Sequence, residues 1–135
     1  RLYRDRLWIL NAGTGHFGRI DLASGRFEPL TFCPGFLRGM SLMGNYALVA
    51  TSKPRDNQAF KGLKLDDELS ERKMKAQCQL CIIDLTTFEL VHWLRFDGLV
   101  NELYDVACLP GSRRPMMIGL QNEEIHHTLS IGDPS

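Results

Sequence analysis

Apolar and polar positions along this chain alternate with a period close to two, in short runs broken by small or polar turn residues. The runs are "RLWILNA" (residues 6–12), "RIDL" (19–22), "RFEPL" (26–30), "LRGMSL" (37–42), "YALVATS" (46–52), "CQLCIIDL" (78–85), "ELVHWL" (89–94), "LYDVACL" (103–109) and "PMMIGL" (115–120). Side chains of a strand point alternately to its two faces, so this pattern, rich in branched and aromatic residues, predicts β-strands. Between the runs stand "GTGHFG", "ASG", "MGN", "TTF" and "PGSRR", each suited to a tight connection.

The runs repeat. Superposing Ile20-Asp21-Leu22 on Ile83-Asp84-Leu85 aligns the flanking strands, and Trp8, Leu48 and Met117 then fall in corresponding places. The unit is an inner strand, a tight hairpin, a second strand, the Ile-Asp-Leu strand and an outer strand. Four-stranded meanders of about 40 residues, radially repeated, are the pattern of a β-propeller. The expected fold is therefore all-β, one partial propeller domain over residues 1–135, with two blades plus part of a third and one short helical insertion. Asp21 and Asp84 precede the turn between third and fourth strands, where a carboxylate can accept backbone N–H bonds and fix the hairpin. Two and a half blades do not close a ring. The chain opens at Arg1 rather than Met, so the expectation is that further blades lie upstream, or that copies associate to complete the circle.

The two units differ between their second and third strands. The first uses about half a dozen residues from Gly13 to Phe17, the second the insertion 51–77. Within it "DDELSERKMKA", Asp66 to Ala76, has acids first and bases last, which predicts a short solvent-exposed helix aligned with its own dipole. Such an insertion is either a decoration or a lid over a site.

Composition narrows the class. Of 135 residues 44% are hydrophobic and 24% charged, with 16 basic and 16 acidic side chains. That balance argues against nucleic acid or an anionic membrane as general partners, which require an excess of one sign. No apolar run approaches a membrane span, and "RLYRDRLWIL" has no signal-peptide core, so a cytoplasmic location is expected. Cys78 and Cys81 form a C-x-x-C without the second pair a zinc ribbon needs. On one strand they face opposite sides, so buried, reduced thiols are expected at Cys33, Cys78 and Cys81.

Candidate chemistry gathers where chain enters the inner strands, at "FLRGM" (36–40) and "NELYDV" (101–106). Alignment of the units places Arg38 near Tyr104 and Gly39 near Asp105. Arg38, Glu102, Tyr104 and Asp105 would then form a polar group at one mouth of a central channel. The carboxylates could hold a hard cation such as Ca²⁺ or orient a polar ligand. The competing role for Arg38 is to pair with a carboxylate and tie adjacent blades. No cofactor is otherwise indicated. His16, His92 and His126-His127 lack a third ligand, and Ser41, Ser52 and Ser130 lack a nucleophile-elbow setting.

The combination of "RLWILNAGTGHFGRIDLASGRFEPL", "PGFLRG", "SKPR", "VHWLRFDG" and "ELYDVACLPGSRRPM" resembles the bacterial family of domain of unknown function 4915, over almost the whole chain. The resemblance implies a propeller-like fold, with this chain similar to the C-terminal part of longer members. It implies no activity and no catalytic residues. Two functions remain: a binding or interaction scaffold for a polar small molecule, glycan or peptide, or a metal-dependent hydrolase of the lactonase-like propeller type. Whether the protein is an enzyme is left open by the sequence.

Overall fold

The computed structural model describes residues 1–53 and 62–115. Among the described residues eight strands form two antiparallel sheets, and each sheet is a meander in which every strand pairs with its neighbour in sequence. The first holds β1 (Leu2–Tyr3), β2 (Arg6–Asn11), β3 (His16–Ile20) and β4 (Phe27–Phe32); the second holds β5 (Phe36–Met43), β6 (Tyr46–Ser52), β7 (Gln79–Asp84) and β8 (Leu90–Arg95). The fold is all-β, with one short helix among the described residues, α1 (Lys64–Glu71). The two sheets are not closed on each other and are consistent with blades of an incomplete propeller. Among the described residues no helix is long and apolar enough to cross a membrane.

The period-two pattern decides what the sheets bury. Along β7 burial alternates strictly, with Gln79, Cys81 and Ile83 inside and Leu80, Ile82 and Asp84 partly exposed. Cys81 and Ile83 join Ala47, Val49, Leu37 and Met40 of the same sheet, and Trp8, Phe17 and Cys33 of the first, in one core between the sheets. Trp8 lies flat on Phe17, ring centres 5.2 Å apart and planes 4° from parallel. Such a stack supplies about 0.5–1.5 kcal/mol beyond the area it buries. The Cys33 and Cys81 thiols meet across the two sheets. That hydrogen bond, with burial behind it, pushes the Cys33 thiol well above its ordinary value.

The Ile-Asp-Leu repeat becomes two superposable hairpins. Asp21 Oδ1 accepts the Ala23 N–H at 2.8 Å, and Asp84 Oδ1 accepts the Thr86 N–H at 2.7 Å. Gly25 N–H donates to Asp21 O and Phe88 N–H to Asp84 O, both at 2.7 Å. The N–H groups of Ala23 and Ser24 on the Asp21 carboxylate, and of Thr86 on that of Asp84, hold both carboxyls below the ordinary aspartate value. The turn-fixing role expected from sequence is the one both aspartates fill.

Two expectations change. First, α1 is shorter than expected and is not a free surface helix: Leu65 and Leu69, one turn apart, are buried against Phe32, Phe36, Leu63 and Ala76. The Leu65 N–H donates to Gly13 O at 2.9 Å, so the insertion of the second sheet is fastened to the β2–β3 turn of the first. The acids of its first turn, Asp66 and Asp67, suit the dipole, but the last turn holds no base. Second, Leu103–Leu109 forms no ladder among the described residues. It runs against the second sheet instead, fixed by serine side chains: Ser52 Oγ accepts the Leu103 N–H at 3.0 Å and Ser41 Oγ accepts the Cys108 N–H at 3.2 Å. Before β2, β1 is a two-residue strand extended by Arg1, whose amine donates to Trp8 O at 2.7 Å. The run 115–120, Met117 within it, His126, His127 and Ser130 lie, but for Pro115, outside the described residues.

Candidate functional site

Arg38 owes its position to a β-bulge. In β5 Leu37 pairs with Thr51 and Met40 with Val49, so Arg38 and Gly39 together stand opposite Ala50. An extra residue on one strand bends it and re-aims its side chains. Gly39 makes the second half of the arrangement possible, because a Cβ there would collide with the backbone of Asp105 and Val106. The 101–106 segment thus passes directly over the bulge, and the glycine is needed for close approach rather than for a turn.

The result brings the four predicted residues to one place. The Arg38 guanidinium lies over the Tyr104 ring, 4.7 Å from its centre, and 5.6 Å from that of Phe36. A Glu102 oxygen stands 3.9 Å from Arg38 Nη1, with the Glu102 side chain only 12% exposed. Glu102 thus sets a carboxylate of the 101–106 segment beside the β5 guanidinium. Asp105 is placed differently. Its side chain is 67% exposed, faces Arg1 at 3.5 Å, and accepts the Val106 N–H at 2.8 Å.

Arg1, Arg38, Tyr104 and Asp105 rim a pocket of about 410 Å³ whose other walls are Trp8, Ile9, Leu10 and Met40. Polar groups of both signs over an apolar floor is the ordinary composition of a small-ligand site. The sequence pointed to Arg38, Glu102, Tyr104 and Asp105 but not to Arg1 or to the β2 residues of the floor. These come from the neighbouring sheet, and no spacing within one repeat unit signals them. Each carboxylate here has an arginine beside it, Glu102 facing Arg38 and Asp105 facing Arg1.

His16 and the cysteines lie among structural partners. His16 Nδ1 lies 3.3 Å from Thr14 Oγ1 with its ring edge on Phe32. Cys33, Cys78 and Cys81 are buried and free, and Cys108 is free and half-buried. Cys81 faces the inter-sheet core while Cys78, three residues earlier, lies on the other side, where burial pushes its thiol up. Among the described residues no group of three or more His, Cys, Asp or Glu side chains is disposed to hold a metal ion.

A family model described as "Domain of unknown function (DUF4915)" matches residues 1–118. No curated protein and no solved structure matches the chain.

Proposed function

From the premise that this chain belongs to the domain of unknown function 4915 family, we propose that it is a binding module, not a catalyst. Its ligand is a polar small molecule, or the end of a glycan or peptide. The site is the pocket rimmed by Arg38, Tyr104 and Asp105, with Glu102 holding the rim in place. One observation carries this reading: a bulge, a close-approach glycine and a ring-stacked arginine converge over an apolar floor drawn from the other sheet. A stacked guanidinium keeps its planar edge of donors available to a carboxylate or carbonyl, and Asp105 offers an acceptor to hydroxyl or amide groups. The sheets act as blades, completed into a ring by further blades or by other copies. Three buried free thiols support a reducing compartment, the cytoplasm.

The test is ligand-observed NMR on the whole chain with glucuronate, galactose and triglycine as probes. At least one should bind saturably and perturb Arg38 and Tyr104. Asp105→Asn should abolish that binding while changing stability by less than about 1 kcal/mol, the usual size for an exposed substitution. If Asp105→Asn and Tyr104→Ala both bind the same probe as tightly as the parent, the pocket is not the site.

A further inference from the structure

A second, larger groove of about 640 Å³ lies between β4 and β8. Leu30, Thr31 and Phe32 form one wall and Leu90, Trp93 and Arg95 the other, while the segment after α1 crosses it with Arg72, Met74, Lys75 and Gln77. On β8 Trp93 pairs with Cys81 and Arg95 with Gln79, so both side chains stand on the face turned toward the first sheet. That face is buried at Cys81 and Ile83 but opens at Trp93, which is 57% exposed.

The charge of this groove is one-sided. Arg72, Lys75 and Arg95 line it and no Asp or Glu does, although the chain as a whole is neutral. Two of the cations are preset by aromatic rings: Arg72 lies 4.4 Å from the Phe32 ring centre and Arg95 5.0 Å from that of Trp93. Arg72 also bonds Glu68 at 3.1 Å, which fixes its orientation from outside the groove. Lys75 and Arg95 have no carboxylate partner among the described residues. A smaller recess lined by Arg4, Arg6 and Arg19 is also basic. There Arg19 is neutralised by Glu28 at 2.6 Å and Arg4 is tethered to the Asn45 amide at 2.7 Å.

We propose that the β4–β8 groove binds a small organic polyanion with a flat apolar body, its carboxylate or phosphate groups held by Lys75, Arg95 and Arg72 and its body against Trp93 and Met74. Like charges between apolar walls concentrate the field on an entering anion. Ring-stacked guanidinium groups meet carboxylate or phosphate oxygens with little further ordering. The groove volume suits a small molecule. This site is independent of the pocket at Arg38, and it gives the insertion a role at a site it borders rather than at the channel mouth.

The experiment is a titration of the whole chain followed through its two indole N–H NMR signals. Trp93 reports the groove, while Trp8, 2% exposed and donating to Tyr3 O at 3.2 Å, is the internal reference. Probes are benzene-1,3,5-tricarboxylate, phenyl phosphate, inorganic phosphate and benzyl alcohol. The first or second should move the Trp93 signal saturably with a Kd of about 1 mM or tighter, and which of them binds better distinguishes carboxylate from phosphate recognition. Lys75→Gln and Arg95→Gln should each weaken binding about tenfold, the loss of one charge-assisted contact, with the fold intact by the unmoved Trp8 signal. The proposal is overturned if neither aromatic anion binds, if both glutamine variants bind like the parent, if shifts map to Arg6 and Arg19, or if inorganic phosphate or benzyl alcohol alone binds as well.

Discussion

The turn after β3 and the turn after β7 have the same backbone and opposite surroundings. Both close through an aspartate, both donate back to it from four residues on, and both place that fourth residue in the left-handed region, Gly25 at φ +70° and Phe88 at φ +60°. Gly25 meets nothing: a Cβ there would have no atom within 4 Å. Phe88 is a bulky residue in a conformation that costs about 1–2 kcal/mol. It is held there by tertiary contacts, since its ring lies 6.4 Å from that of Trp8 and 5.9 Å from the Arg19 guanidinium, and its carbonyl accepts the Thr31 hydroxyl at 2.7 Å. One turn is satisfied by local chemistry alone. The other is a hook by which the second sheet grips the first.

The largest expected effect tests the other fastening between the sheets. Leu65 is fully buried, and Leu65→Ala should destabilise the protein by about 3 kcal/mol, as truncation of a buried leucine does. Denaturant unfolding would measure this, and a loss below about 0.5 kcal/mol, the range of neutral surface changes, would return α1 to the status of a decoration. The next effect has an unusual sign. Phe88→Ala should cost about 2 kcal/mol through lost packing, whereas Phe88→Gly should cost less, by about 1 kcal/mol, because glycine adopts the left-handed conformation freely. Alanine is normally the better tolerated of the two, so equal losses would remove the strain from the account. Smaller again, Gly25→Ala should cost about 1 kcal/mol from backbone conformation alone, with no clash to add to it.

The smallest effect separates the aspartates by pH. The Asp21 and Asp84 carboxyls titrate lower folded than unfolded. Their contribution is therefore complete above the unfolded aspartate value of about 3.9 and is lost as pH falls through the folded values. Asparagine keeps the acceptor but cannot titrate. The melting-temperature difference between the parent and an Asp21→Asn, Asp84→Asn double variant should shrink toward zero as pH is lowered from 6 to about 2. A difference that stays constant across that range would locate the acid sensitivity elsewhere.

The hairpins were legible because an Asp two residues before a backbone N–H is local chemistry, visible in "RIDLASG" and "CIIDLTTF". The proximity of Arg38 to Tyr104 was legible because aligning "FLRGM" with "NELYDV" set the two residues at matching places. What escaped depends on contact between units. Leu65 and Leu69 are spaced for a buried face, but the charges around them read as a solvated helix. The Phe88 conformation contradicts its local preference and exists only because Trp8 and Thr31 lie opposite. Cys81 could be placed on an inward face, but nothing in the C-x-x-C spacing indicated Cys33, 48 positions away, as its neighbour. Arg1 beside Asp105 joins the two ends of the described chain, a pairing that no periodicity encodes.

The unequal connections between second and third strands bear on the order of assembly. Between β2 and β3 lie residues 12–15; between β6 and β7 lie residues 53–78. Loop-closure entropy rises with the logarithm of length, so the longer connection costs about 1.7 kcal/mol more to close before any pairing energy is gained. The β2–β3 hairpin should therefore form first and, once β4 has paired with it, Gly13 and Phe32 become the surface on which α1 condenses, drawing β6 and β7 together. Pulse-labelled hydrogen exchange during refolding would show amides of β2 and β3 protected before those of β6 and β7. Simultaneous protection would mean instead that the helix forms early enough to shorten its own loop. The first sheet, on this account, is the template on which the second is built.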